Sequence, residues 1–458
     1  MRDRKVTTQL VLGVGLPESG AFLTRVLHIT PHLGGGVGKA LSGLVEQARR
    51  LDAGFEHEIL CLEIPEKPQF ADRVRQAGCG LKLCPSPSDF AEAIRDADIV
   101  QLEFWNHPAT ARALCSAPLP AMRLLVWCHV SGLHNPRIPP GLLSVAHKFL
   151  FTSDCSLEAE EVGQLVPRVA ANLGVVSSGG GLDMLPLPRT TAREGGLQVG
   201  YTGSLNFAKL HPDFVSFLAA VRTLWHPVRL IGDETNRAVL EEQCRRLGRP
   251  DMLEFRGYTT DMAAELAELD ILVYLLNPRH YGTAENALLE AMAMGVIPVV
   301  LDNPAERRIV EDRRTGLVVR TPGELADALD WLTVHREERL EMGRRAATSV
   351  RERFTYERME NAFNAHYDGL MRSPKAFIPF GSVFGDGPAD WFRAFYHDPS
   401  AFSDTGDVNL PPNQPYHALF ERTKGSVFHF LDYFPDDTRL QHWATGLRQL
   451  LSPSAVAS

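Results

Sequence analysis

ILVYLLNPRHYGTAENALLEAMAMGVIPVVL, residues 271–301, is the stretch that decides the fold. Residues 271–276 and 296–301 are apolar runs of strand length with no polar interruption. Between them Leu288, Leu289 and Met292 recur at helical spacing, which predicts a helix over 285–294. Strands that are apolar throughout are buried on both faces, so a strand–helix–strand unit of this kind belongs to a parallel sheet covered on both sides.

The same alternation extends outward. Upstream lie expected strands at 198–202, 228–231 and 253–255, with helices at 212–224, 237–247 and 261–269. Residues 184–196 (MLPLPRTTAREGG) carry two prolines, two glycines and no periodicity, the texture of a linker. Before it the pattern runs through expected strands 24–30, 57–64, 99–104, 124–130 and 148–152, with helices at 38–51, 71–77 and 89–96. Downstream, 324–370 reads as helical with a break near Phe354. The expected organisation is α/β: two doubly wound Rossmann-like domains, 1–185 and 197–350, joined by a linker at 186–196. A crossing helix at 351–372 and an extension at 373–458 follow.

At 458 residues the chain exceeds one ordinary core. With 44% hydrophobic and 22% charged residues it has a globular composition, and its net charge of -9 argues against a nucleic-acid partner. Its seven cysteines are scattered, without CxxC spacing, and read as reduced thiols of a cytoplasmic protein. Arg2, Arg4 and Lys5 precede an apolar stretch at 10–16 that is broken by glycines and stopped by Pro17 without a small-residue cleavage site, so a secretory signal is not expected. No apolar run is long enough for a transmembrane segment. No His/Cys cluster has zinc-ligand spacing and no DxD-like pair stands in a suitable loop, so no metal is expected; no Ser-His-Asp arrangement or paired glycosidase carboxylates present themselves either.

Gly34, Gly35, Gly36, Val37 and Gly38 separate the first strand from the first helix. They match neither GxGxxG nor a P-loop, but glycines let backbone approach a ligand, and a helix N-terminus favours an anion. A tight turn without contacts is the plainer alternative.

Three further segments, in order, turn this opening into a resemblance. They are YTGSLNFAK at 201–209, LLEAMA at 288–293 followed by Gly295, Pro298 and Val300, and EDRRTGLV at 311–318. Together they resemble the retaining glycosyltransferases of GT-B fold in the family of glycosyl transferases group 1, over about residues 24–370. The resemblance implies two Rossmann-like domains facing a cleft, and a metal-independent enzyme that moves a sugar, with retention, from a UDP-, GDP- or dTDP-linked donor. No cofactor beyond that substrate is implied. Gly35, Gly36 and Gly38 would then form the acceptor-side loop, with Glu103, Asn106 and His107 as further acceptor-side candidates. Gly203, Ser204, Lys209, Gly257, Tyr258, Gly282, Thr283, Ala284, Glu285 and Glu290 would bind the donor: Lys209 and the helix-start amides the diphosphate, Glu290 the ribose hydroxyls, Gly257 and Tyr258 the base. His129, at a strand end, would sit beside the sugar and accept a hydrogen bond from a hydroxyl. Lys209, His129 and Glu285 are the expected catalytic residues.

Two positions depart from the family pattern. Ser204 stands where the family carries a diphosphate-binding arginine, and Gly282, eight before Glu290, stands where it carries a first glutamate. Glu285 is the candidate to take over that role. The departures keep two alternatives open: a catalytically inactive nucleotide-sugar- or partner-binding protein, and another GT-B enzyme such as a phosphorylase or epimerase.

The final 86 residues hold 15 of the 38 aromatic residues, so the extension is expected to fold. Its aromatics either fill a core or are offered to the acceptor, a protein partner or a second copy of the chain, and it is expected to stay out of the donor site.

Overall fold

The computed structural model describes residues 23–51, 54–191, 193, 196–222, 226–410 and 417–450. The N-terminal stretch with Arg2, Arg4, Lys5 and Pro17, and parts of the linker and of the expected 403–415 loop, lie outside them.

Seven parallel strands form the first sheet: β1 (Thr24–Thr30), β2 (Phe55–Cys61), β3 (Gly80–Leu83), β4 (Ile99–Phe104), β5 (Leu124–Cys128), β6 (Lys148–Phe151) and β7 (Leu173–Val175), in the order β3-β2-β1-β4-β5-β6-β7. Six form the second: β8 (Val199–Thr202), β9 (Val228–Ile231), β10 (Leu253–Gly257), β11 (Ile271–Tyr274), β12 (Ile297–Leu301) and β13 (Leu317–Val319), in the order β10-β9-β8-β11-β12-β13. Both are doubly wound, with the order reversing between β1 and β4 and between β8 and β11. Ligands bind beyond the carboxyl ends of the strands at such a reversal.

The apolar runs became central strands, every residue of β5, β11 and β12 being buried, and β4 is buried throughout as well, with Gln101 and Glu103 among its residues. The three strands that the sequence does not announce, β3, β7 and β13, are sheet edges of four, three and three residues. An edge strand packs less, and GLKL and LGV carry no long apolar run. The strand expected at 57–64 shifts to Phe55–Cys61. The helix expected at 212–224 is described only over Phe214–Ala219, and 223–225 lie outside the described residues. The 324–370 region breaks twice, giving Pro322–Val334, Arg336–Arg353 and Tyr356–Leu370, the last capped by the Thr355 side chain accepting from the Arg358 N–H.

Helix Tyr356–Leu370 returns to the first domain, where Met359, Phe363, Tyr367 and Leu370 join a core with Leu41, Leu44 and Trp127. Its first ring fixes a glycine: a Cβ on Gly43 would lie 2.0 Å from the Tyr356 ring. The extension folds as helices that include Phe380–Phe384, Pro388–Ala394, Val427–Tyr433 and Thr438–Leu450. They share a core with the outer face of the first sheet, in which Phe104 meets Phe395 at 5.9 Å and Phe384 at 6.5 Å between ring centroids. Trp391, Phe392, Phe402, Phe428, Phe430 and Trp443 are all buried, so the aromatics of the extension are spent chiefly on this shared core.

Candidate active site

The carboxyl ends of the two sheets face one another across a cavity of about 750 Å³. From the first domain come Gly34, Gly35, Gly36, Trp105, Asn106 and His129. Gly203, Ser204, Lys209, Asp233, Tyr258 and the turn from Tyr281 to Ala287 come from the second, with Glu290 one turn further into the helix. Helix Asn286–Ala293 starts at this wall, so its free first-turn amides and positive dipole end face the cavity.

Lys209 and Glu285 form the charged centre of the donor-side wall. The Glu285 carboxylate receives Lys209 Nζ at 2.9 Å on Oε1 and the Tyr274 hydroxyl at 2.5 Å on Oε2. Burial alone would raise the Glu285 carboxyl, but Lys209 and His280 hold it below the ordinary range, and the same pairing holds Lys209 above its own against burial. Both therefore stay charged. Glu285 is not the first helical residue: it is the left-handed N-cap, with φ 33°. That conformation folds its side chain back over Gly282, where a Cβ would stand 1.8 Å from Glu285 Oε1. The carboxylate thus occupies the place a side chain at position 282 would need.

Around this pair other contacts knit the domains. Lys39 Nζ reaches Glu290 Oε1 at 2.5 Å across the cleft. The Thr152 and Thr283 hydroxyls meet at 2.6 Å, the Ser131 N–H donates to the Tyr281 carbonyl at 2.9 Å, and Lys67 Nζ lies 3.1 Å from the Tyr258 ring centroid. Ser204, in the place of the family arginine, donates to Asp233 Oδ2 at 2.5 Å. Lys39 and Asp233 are functional candidates that the sequence reading missed. Lys39 directly follows the glycine loop, and Asp233 follows the end of β9, so both positions carried a topological signal.

On the acceptor side, His129 Nε2 lies 2.9 Å from Glu103 Oε2, and its ring meets the edge of Trp127 at 4.6 Å. Glu103 is fully buried and also bonds His28 and Gln101. It cannot touch an acceptor; it holds His129. His107, 1% exposed, is likewise withdrawn from the cavity: its Nδ1 accepts from the Ala109 N–H and its ring packs on His32, His429 and Tyr433. Burial, with Lys424 and neighbouring histidines, lowers His107 to about 2, while burial and Lys424 lower His32 and His429 to about 4, so this wall is uncharged near neutrality apart from Lys424. Gly38 and Gly257 also lie outside the cavity lining. Gly38 is a packing position against Phe70 and Leu33, and Gly257 is an irregular strand end with φ 71°.

The extension does not keep clear of the donor side. The Glu421 carboxylate accepts from the Phe207 N–H at 2.7 Å, the Ala208 N–H at 3.1 Å and Asn236 Nδ2 at 2.6 Å, all on the loops that follow β8 and β9. Residues 423–427, with Phe392, Phe395 and Tyr396, complete the acceptor-side wall of the cavity. They are anchored by Asn106 Nδ2 donating to the Gly425 carbonyl at 3.2 Å and the His397 N–H donating to Asn135 Oδ1 at 2.7 Å.

Residues 196–334 match the family of glycosyl transferases group 1. The Dictyostelium discoideum GDP-Man:Man(3)GlcNAc(2)-PP-Dol alpha-1,2-mannosyltransferase is 30% identical over 137 residues, 28% of this chain. The match spans about a quarter of that relative, 26% of its length. Among solved structures, Anabaena HepE in complex with UDP and glucose superposes with a TM-score of 0.60 at 15% identity, over 76% of this chain and 100% of that one. A glycosyltransferase from Rickettsia africae gives 0.59 at 14%, over 77% and 99%. Sucrose-phosphate synthase from Thermosynechococcus elongatus gives 0.58 at 15%, over 76% and 99%. The fold is therefore GT-B, two facing Rossmann-like domains, with a helical C-terminal extension added. Its second domain is the part that matches the glycosyl transferases group 1.

Proposed function

We propose that the protein transfers a sugar, with retention, from a nucleoside-diphosphate sugar held by the second domain to a hydroxyl of an acceptor held between the first domain and the extension. One observation carries this reading: Lys209, the start of helix Asn286–Ala293 and His129 converge on a single cavity. The diphosphate lies against Lys209 and the first-turn amides, which stabilise it as it leaves. Glu290 meets the ribose hydroxyls, displacing or sharing Lys39, and Tyr258 flanks the base. Glu285 takes the place of the carboxylate absent at Gly282 and meets the sugar hydroxyls while it orients Lys209. His129 accepts from a hydroxyl on the other side, and the leaving phosphate takes the acceptor proton. Every carboxylate lining the cavity is engaged by protein groups, so the reaction is proposed to need no metal. The acceptor presents apolar surface to Trp105, Phe395, Tyr396 and Val427, and the cytoplasm is the proposed location of the enzyme.

The test is a screen of UDP-, GDP- and dTDP-sugars by thermal shift and by release of nucleoside diphosphate. A donor that raises the unfolding midpoint and is turned over supports transfer. Ser204 and the neutralisation of Lys209 by Glu285 favour a second reading, in which the nucleotide sugar is bound and not consumed. Stabilisation by a sugar nucleotide without release, across a broad acceptor panel, would establish it. Stabilisation by none of them removes both readings.

A further inference from the structure

We infer that Glu103 is a positioning residue that fixes His129 as a hydrogen-bond acceptor in the cleft, through a buried chain that continues to His28 and His57. Five side chains of the first sheet make it. Glu103 Oε1 receives His28 Nδ1 at 3.1 Å and Gln101 Nε2 at 2.8 Å, and Oε2 receives His129 Nε2 at 2.9 Å. His28 Nε2 lies 2.8 Å from His57 Nδ1, and the two rings are stacked with centroids 5.1 Å apart.

The proton positions follow from what each group can do. An ionised carboxylate only accepts, so each nitrogen that faces Glu103 carries a hydrogen. The carboxyl is ionised: burial would raise it, but the hydrogen bonds from His129 and His28 hold it below the ordinary range. Gln101 is turned amide-first by Tyr367, whose hydroxyl donates to Gln101 Oε1 at 2.6 Å. In its neutral form His129 therefore carries its proton on Nε2 and keeps Nδ1 as the acceptor, on a side chain that lines the cavity.

The far end of the chain shows that it does not conduct protons. His57 Nε2 is buried and has no hydrogen-bond partner. Burial and His28 push His57 well below the usual histidine range, so it is neutral. An orphaned N–H is costlier than a bare acceptor in such a place, so the His57 proton sits on Nδ1 and is donated to His28 Nε2. Every link then donates towards Glu103, and the chain ends blind. Its output is a fixed tautomer and ring angle for His129, the function a buried carboxylate serves beside a catalytic imidazole. Sequence spacing alone hides this, because residues 28, 57, 101, 103 and 129 come from β1, β2, β4 and the end of β5.

The consequence for catalysis rests on the transfer reading above, but the tautomer does not, and the experiment separates them. Long-range proton–nitrogen correlation spectra of protein labelled with ¹⁵N-histidine report which ring nitrogen is protonated. The His129 signal is assigned by its loss in His129→Gln. The neutral form of His129 in the native protein is expected to be Nε2–H. An Nδ1–H form, or a mixture of the two, overturns the inference without any variant. Glu103→Gln has one acceptor oxygen for two histidines, so it is expected to move His129 towards the Nδ1–H form. It should also lower turnover in the diphosphate-release assay by on the order of tenfold or more while nucleoside-diphosphate affinity is kept. A folded Glu103→Gln protein with an unchanged His129 tautomer also overturns it. Should the expected tautomers appear in a protein that turns over no donor, the positioning stands and the transfer reading falls.

Discussion

The two halves of the molecule use one topology for opposite electrostatics. Strand order, reversal point and the placing of loops at the carboxyl ends are shared. At the cavity, the second half concentrates charge: Lys209 on Glu285, Asp233 beside Ser204, and a helix N-terminus. The first half answers with histidines that burial keeps neutral and with a wall supplied by the extension. A doubly wound sheet fixes where a ligand lies, and the loop residues decide its chemistry. Here they set a charged wall against a largely uncharged one.

The most drastic way to break the comparison is to remove the extension. Truncation after Ser373 is expected to yield protein that aggregates or loses cooperative unfolding in the first half. Phe380, Phe384, Trp391, Phe392 and Phe395 share a core with Phe104, Leu114 and Leu124, and their loss exposes that apolar face. A soluble truncated protein with a native near-ultraviolet circular dichroism spectrum would show instead that the first half folds without them.

Next in size is Lys209→Ala, expected to lower turnover about a hundredfold, the scale for losing one charge stabiliser in a shielded site. It also strands the buried Glu285 carboxylate, so Lys209→Ala with Glu285→Gln is the paired measurement. If the double variant regains the parent rate, the lysine served only to neutralise Glu285, and the charged half has no catalytic charge of its own.

Much of this was legible in the sequence. The apolar runs expected at 124–130 and 296–301 announced central strands, because a strand buried on both faces is apolar unless its polar groups are partnered, as Gln101 and Glu103 are in β4. The turn at 281–285 was legible through its place before a helix. Glu103 and His107 were misplaced because position at a strand end does not reveal side-chain burial. Glu285 was read as helical because nothing local declares a left-handed glutamate; only its partners Lys209 and Tyr274, far away or across the turn, stabilise it. The reach of Glu421 to the Phe207 and Ala208 amides spans more than 200 residues, and no local pattern encodes it.

A smaller effect sharpens the contrast through pH. His32 and His429 have folded values of about 4 and His107 of about 2, against an unfolded value of 6.5. Between pH 6.5 and 4 the unfolded chain binds more protons, so stability rises with pH in that window and falls as the solution is acidified. In the second half, Glu285 and Asp233 are held below the ordinary carboxylate range, so their contribution is complete above the unfolded carboxylate value and is lost only in stronger acid. Calorimetry from pH 7 to 5 should lower the transition of the histidine-bearing half by about 5 °C and move the other much less. Equal movement of both would dissolve the distinction.

The smallest expected effect is none: turnover should survive EDTA. A divalent cation at a diphosphate needs carboxylates with free lone pairs facing it. Those at this cavity are already engaged, Glu285 by Lys209 and Tyr274, Glu290 by Lys39, and Asp233 by Ser204 and the Leu205 and Thr235 amides. Among the described residues no group of three or more His, Cys, Asp or Glu is arranged to hold a metal ion. Binding one would mean breaking an ion pair at Glu285 or Glu290 or stripping Asp233 of its hydrogen-bond donors, and the cation that replaced Lys209 or Lys39 would add little charge beyond the one it displaced. Diphosphate release is therefore expected to be the same with EDTA as without it, and to gain little from added manganese or magnesium. Loss of turnover on chelation, restored by either ion, would show that Lys209 and the helix-start amides do not suffice, and that one of these carboxylates exchanges its lysine for a metal when the donor arrives.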